Sequence, residues 1–200
     1  MAYSEVFICN LALRAVGSGK TIASLTEQSK EAGYCNDSYQ ISRDELLRSH
    51  DWFFAQKRRS LSVSSETITD WEWDYAYEYP SDCLKARSIL DINRRSNSKT
   101  PFEIGLKSDN SGKLILTDEA NAILKYTAKV TAPTVFDPLF VSALSLSIAA
   151  KVAVPLTNKE SKITNIIRNF DRVIATAKAE NKMEHIDDEE PESSFVTSRY

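Results

Sequence analysis

Five aromatic residues occupy every odd position from 71 to 79: Trp71, Trp73, Tyr75, Tyr77 and Tyr79. Glu72, Asp74, Ala76 and Glu78 lie between them. Successive side chains of an extended chain point to opposite faces, so this alternation predicts a strand with one aromatic and one mostly acidic face. At roughly 3.4 Å per residue it would be about 30 Å long. Each ring can bury roughly 150–250 Å², so the strip requires a cover. Three covers are open: the domain's own core, a sugar or base, or another copy of the chain.

On both sides of this segment the period changes to that of helices. Residues 4–16 read as a helix with Ser4 as cap, Val6, Cys9, Leu13 and Val16 on one face, and Gly17 as the stop. A second helix is expected over about 28–54, with Ala32, Cys35, Tyr39, Leu46 and Phe53 at helical spacing. After Pro133 a third helix is expected to end before Pro155, and Thr157-Asn158-Lys159-Glu160 reads as a capping box opening a fourth. Its stripe is Ile163, Ile166, Ile167, Phe170, Ile174 and Ala177. Between the pairs lie short apolar runs, separated by turn signals at Pro80-Ser81-Asp82 and Asp109-Asn110-Ser111-Gly112.

The predicted class is therefore α+β. An antiparallel four-helix bundle, two helices from each end of the chain, would carry an inserted small antiparallel β domain and an extended C-terminal arm. The expected units are an N-terminal helix pair over 1–57, a β domain over 58–131, a C-terminal helix pair over 132–182 and an acidic arm over 183–200. Residues 184–192 hold six carboxylates and a proline, ahead of an end containing Phe195, Val196, Arg199 and Tyr200. Such a segment cannot fold alone. It is either a solvated end or a docking arm, with Phe195, Val196 and Tyr200 as anchors.

The 200 residues carry a formal net charge of −3, which gives no support for general affinity to nucleic acid. Lys57-Arg58-Arg59 is too short a run to change that. Cys9, Cys35 and Cys83 are odd in number and widely spaced, and read as reduced thiols. The N-terminus lacks the basic stretch of a signal peptide, and the apolar run 139–154 is short, serine-containing and ends near Lys151. A soluble protein made in a cytoplasm, with no membrane partner, is expected.

Catalytic patterns fail on chemistry. Gly17-Ser18-Gly19-Lys20-Thr21 has Arg14 where a phosphate-binding loop needs its first glycine, and it follows a helix rather than a strand. Ser49-His50-Asp51 are adjacent residues, about 100° apart on a helix, and cannot form a relay. His50 and His185, the only histidines, lie at no metal-ligand spacing from a cysteine. Asp187, Asp188, Glu189 and Glu190 fix no coordination geometry. No enzyme, cofactor or metal is expected.

Three stretches carry a resemblance to a known family. The first is Asn10-Leu11-Ala12-Leu13-Arg14-Ala15-Val16-Gly17 with Ile22-Ala23-Ser24-Leu25. The second is Ser29-Lys30-Glu31-Ala32, Cys35 and Tyr39, leading to Arg43-Asp44-Glu45-Leu46-Leu47-Arg48 and Trp52-Phe53-Phe54-Ala55. The third is Tyr75-Ala76-Tyr77-Glu78-Tyr79-Pro80-Ser81-Asp82-Cys83-Leu84. With the later helices they cover most of residues 5–182, and their order resembles the tail tubular protein A family, the head-to-tail adaptors of short-tailed bacteriophages. Asp51 stands where that pattern tends to have proline.

The resemblance implies a dodecameric ring between the portal protein and the tail nozzle (tail tubular protein B), with tail fibres attached near its lower edge. Double-stranded DNA would pass through the hole. The location implied is the virion tail, after synthesis in the bacterial host cytoplasm. On this reading Trp71, Trp73, Tyr75, Tyr77 and Tyr79 form the β core or a subunit contact. Glu72, Asp74 and Glu78 would face the DNA channel, and Phe195, Val196, Arg199 and Tyr200 would dock on the portal. The alternatives are a glycan-binding module of a tail, using the aromatic strip, and a cell-wall hydrolase.

Overall fold

The computed structural model describes residues 3–65, 72–90, 100–157 and 161–184. Helix α1 spans Glu5–Val16. The Ser4 hydroxyl accepts from the Phe7 amide at 3.1 Å, satisfying one of the unpaired amides of the first turn. Gly17, at φ 77°, ends the helix. Its amide donates to the Arg14 carbonyl and that of Ser18 to the Leu13 carbonyl, the Schellman pattern that requires a left-handed residue. The Asn10 side chain then exchanges two 2.9 Å hydrogen bonds with the backbone of Ile22, which pins the following loop to the helix.

Helix α2 spans Lys30–Ser49, capped by Ser29. It stops five residues short of the expected 54. The Leu46 carbonyl accepts from both the Ser49 hydroxyl (2.8 Å) and the Trp52 indole (2.9 Å). Residues Phe53–Ala55 then form a 3-10 turn. Trp52, 1% exposed, stands edge-on to Phe140 at 5.2 Å. Phe54 and Phe136 complete this aromatic cluster around Phe140.

Helix α3 spans Pro138–Thr157. Asp137 caps it, accepting from the amides of Leu139 and Phe140. The expected stop before Pro155 is not observed. Pro155 lies in the last turn, where a missing amide removes only one helical bond, and the Thr157 hydroxyl donates to the Ala153 carbonyl at 2.7 Å. Helix α4 spans Ser161–Met183; residues 158–160 of the expected capping box lie outside the described residues.

The expected four-helix bundle does not form. The fold is α+β, with four helices interspersed with two small antiparallel sheets. Helices α1, α2 and α4 each pack chiefly on α3 and only slightly on one another, so there is no ring of four equal neighbours. The reason is compositional. Phe140, Val141, Ala143, Leu144, Ile148, Ala149 and Val152 are all buried, so α3 is apolar around its circumference and takes the centre. By length and composition α3 is apolar enough to cross a membrane, but half of that stretch is buried inside the fold.

The first sheet has the order β1–β6–β3, from Gln56–Ser60, Ile123–Ala128 and Cys83–Leu90. The second has the order β2–β5–β4, from Tyr75–Glu78, Lys113–Thr117 and Glu103–Leu106. Isolated bridges pair Ile89 with Thr100 and Val63 with Tyr77. Tyr77, Ile115, Leu124, Tyr126 and Ile89 form a small core of their own. The strand expected over 71–79 is four residues long in the structure. The expected C-terminal arm lies outside the described residues beyond position 184.

Replacing Trp52 by alanine opens a cavity beside Phe140 and removes a donor from the Leu46 carbonyl. The expected loss is about 3–5 kcal/mol, measured as a lower urea midpoint at unchanged slope.

Candidate functional site

Several described residues of types that can serve in catalysis have structural partners. Lys20 pairs with Glu31 at 3.1 Å, and the amides of Gly17 and Ser18 donate back into the end of α1. A phosphate needs amides free at a helix N-terminus, and this loop closes a C-terminus. Lys162 Nζ donates to the Val16 carbonyl at 2.9 Å, adding a positive charge where the helix dipole favours one. No group of three or more His, Cys, Asp or Glu side chains is placed to hold a metal among the described residues. Cys9 and Cys35 are buried and free, and their mutual hydrogen bond, with burial, pushes the Cys9 thiol up.

His50 and Asp51 belong to a joint between helices and sheet. The Asn181 amide of α4 lies 3.3 Å from His50 Nε2 and donates to the Asp51 carbonyl at 2.9 Å. Its oxygen accepts from the Phe53 amide at 3.0 Å. From β3, Arg87 donates to the His50 carbonyl and to Thr127 and stands 3.6 Å from the Asp51 carboxylate. A bulge between Ala86 and Ser88 re-aims Arg87 at this joint. Lys125 reaches the same carboxylate at 3.6 Å. Ser49 faces away, donating to Leu46, so the three adjacent residues form no relay.

The aromatic strip divides into unlike environments. Trp71 lies outside the described residues. Trp73 precedes the strand, and its indole donates to Glu103 at 3.3 Å. Tyr75 is 37% exposed, whereas Tyr77 is 1% exposed and donates to the Glu119 carbonyl at 2.8 Å. Their rings stack at 6.2 Å. Tyr79 is half-buried beneath the Lys113 ammonium, 5.5 Å from its ring. A stacking platform for a ligand needs several open rings in one plane. Here only Tyr75 is exposed among the strip's described rings.

The carboxylates of this segment are also divided. Glu72 and Asp74 are exposed and lie before β2. Glu78 lies in the strand, pairs with Lys107 at 2.8 Å and accepts from Ser64 at 2.8 Å. Those two partners hold its carboxyl below the usual range. Phe195, Val196, Arg199 and Tyr200 lie outside the described residues. Where α4 ends, Glu184 lines a groove with Trp52, Phe54 and Phe136.

What sequence reasoning missed are two sheet edges. Strand β4 is the outer strand of its sheet. Ile104 stands directly opposite Ile115, and Ile115 opposite Tyr77. Directly opposed residues share a face, so Ile104 extends the face that forms the core. Yet Ile104 is 44% exposed and Leu106 68%. The apolar face runs out past its own cover. The period-two pattern of Ile104 and Leu106 was the available signal. At the other outer strand, β1, Lys57, Arg58 and Arg59 are all exposed. Comparison with family models and with curated proteins finds no match for the chain.

Burial, then Lys178, Lys182 and Arg87, push the His50 pKa below its usual 6.5. The unfolded chain therefore binds the proton more readily, and the stabilisation is complete above about pH 6.5 and is lost as pH falls from there through the folded value. Stability to urea is expected to fall as pH is lowered from 7 towards 5, and His50→Gln is expected to flatten that slope. A second decline belongs lower, where Glu27, Glu31, Glu78, Asp82 and Asp109, all with lowered pKa values, take up protons.

Proposed function

We propose that the chain is a structural ring component of a virion, the head-to-tail adaptor that joins a portal to a tail nozzle, supports fibre attachment and lets the genome pass. The observation that carries this reading is the uncovered apolar edge of β4. Ile104 and Leu106 continue the face on which Ile115 and Tyr77 are buried. A ring is closed by heterologous contacts, in which one patch meets a different patch of the next copy. Such contacts require an apolar surface that the single subunit leaves open, and the β4 edge supplies one.

The order of the three sequence stretches supports the adaptor reading in particular. Asn10 and Ile22 of the first stretch bond to each other, Ser29 of the second caps α2, and Tyr77 of the third lies in the small core. Each of these residues has a structural role in the fold. Within the ring, Glu72 and Asp74 are proposed to face the hole, where carboxylates repel phosphates and keep DNA sliding. Glu78 contributes less, because Lys107 compensates it within the subunit. Residues 195–200 are proposed as the portal-docking anchors.

Mixing the chain with portal protein is expected to give rings visible by electron microscopy, even where the chain alone is monomeric. The double variant Ile104→Lys, Leu106→Lys is expected to stay within about 0.5 kcal/mol of the parent in stability, as exposed substitutions do, and to lose ring assembly. Assembly at parental yield by that variant would reject the β4 edge as the contact.

A further inference from the structure

An open groove of about 230 Å³ lies where the end of α4 meets the joint. Trp52, Phe54, Val135 and Phe136 form its apolar lining. Val135 is 51% exposed and Phe54 half-buried, so part of that lining faces water. The wall from α4 follows from helical spacing. Ala177, Glu180, Asn181 and Glu184 recur at three-, four- and seven-residue intervals and share one stripe. The Glu184 amide still donates to the Glu180 carbonyl, which carries that spacing through Glu184.

The rim is acidic. Glu180 and Glu184 are exposed and stand one turn apart, a like-charge pairing that destabilises a helix. Neither makes a salt bridge among the described residues. Lys178 and Lys182 of the same helix lie towards His50 and do not join the lining. Asp137, the third carboxylate of the groove, is committed to the amides of Leu139 and Phe140. The groove therefore fits a long side chain, with an apolar stem against Val135 and Phe54 and a cationic head between the two glutamates. Arginine suits it best, because a planar guanidinium stacks on a ring and donates to two carboxylates at once.

Arg58 of β1 meets that description. It is exposed and makes no salt bridge among the described residues, whereas Lys57 beside it pairs with Asp82 at 2.7 Å. Arg58 also stands directly opposite Lys125, a like-charge pairing that destabilises an antiparallel ladder. Within its own chain, the register with β6 holds Arg58 out of the groove lining. Yet Phe54 and Arg58 are close in sequence, at most about 14 Å of extended chain apart. Asn181 fastens the groove wall to Asp51 and Phe53. Each copy thus presents groove and arginine side by side in a fixed relation. Two neighbouring patches of this kind are self-complementary about a two-fold axis.

We propose that two copies of the chain associate about a two-fold axis, the Arg58 of each seated in the other's groove between Glu180 and Glu184. The contact relieves the repulsion between the two glutamates and that between Arg58 and Lys125. It uses neither Ile104 nor Leu106, so it is separate from the edge contact proposed for the ring, and it holds whether or not the chain is an adaptor.

The test uses the full chain as the parent, the variant Arg58→Glu, and the double variant Glu180→Lys, Glu184→Lys. Sedimentation equilibrium from micromolar to millimolar concentration is expected to show a parental dimer. Each variant alone sets like charges against each other, and its dimer is expected to be at least about tenfold weaker. An equimolar mixture of the two variants restores opposite charges at both grooves. It is expected to dimerise as the parent does, which also shows that both variants are folded. The variant Ile104→Lys, Leu106→Lys is expected to keep the parental dimer affinity, so failure of this contact and failure of the ring contact are read separately. A mixture that stays monomeric would overturn the proposal, as would a variant as tightly dimeric as the parent. A parent that is monomeric throughout would overturn it in favour of a basic segment of a different protein in the groove.

Discussion

The burial of α3 is the interaction on which the helical part of this fold depends. Its buried residues include Phe140, Leu144, Ile148 and Val152, spread around the helix rather than along one stripe. A helix with that surface is stable in water only when others surround it. Helices α1, α2 and α4 do so with residues such as Leu13, Leu47 and Ile166. The hydrophobic effect, at roughly 25 cal/mol per Å² of apolar surface removed from water, therefore binds the two ends of the chain to the same central element. The aromatic cluster of Trp52, Phe54 and Phe136 around Phe140 extends this core towards the sheets.

The second constraint is polar. The sheets meet the helices where Asn181, His50, Asp51, Arg87 and Lys125 converge. Hydrogen bonds to buried backbone groups contribute modestly when made and cost more when one partner is missing. The joint therefore fixes the relative position of its parts more than it adds stability. Arg87 donates to the Arg48 and His50 carbonyls and to the Thr127 hydroxyl, and Asn181 donates to the Asp51 carbonyl. Two sheet edges stand apart among the described residues, apolar at β4 and basic at β1.

Much of the local structure was legible in the residues. Ser4, Gly17 and Ser29 mark helix ends through bonds to amides or carbonyls three to five positions away, and such short-range chemistry is readable. The turn at residues 109–112 was legible for the same reason, with Asn110 at φ 58°. What could not be read depends on distant partners. The aromatic alternation of 71–79 predicts a long strand, but only residues 75–78 find a ladder partner in β5, and Trp73 turns to Glu103 instead. The four-helix bundle was inferred from the count and order of helices, whereas their arrangement follows from how apolar α3 is on every side. Pro155 was read as a stop, although Thr157 holds the last turn from beyond it. The period-two pattern of Ile104 and Leu106 marks a strand but not an edge, because strand order is a property of pairing, and neither Arg58 nor Ile104 announces which neighbour it lacks. The candidate anchors at 195–200 and Trp71 lie outside the described residues.

One consequence concerns how the chain is made. The Phe53 amide finds its acceptor on Asn181, 128 positions later, and α3 receives its last cover from α4. Until the ribosome has released α4, the N-terminal half has an unclosed joint and α3 shows bare apolar surface. Non-local contacts of this kind form late, and exposed apolar surface in the interim favours aggregation. A chain lacking Asn181 would therefore leave this apolar surface and the joint open, which favours aggregation.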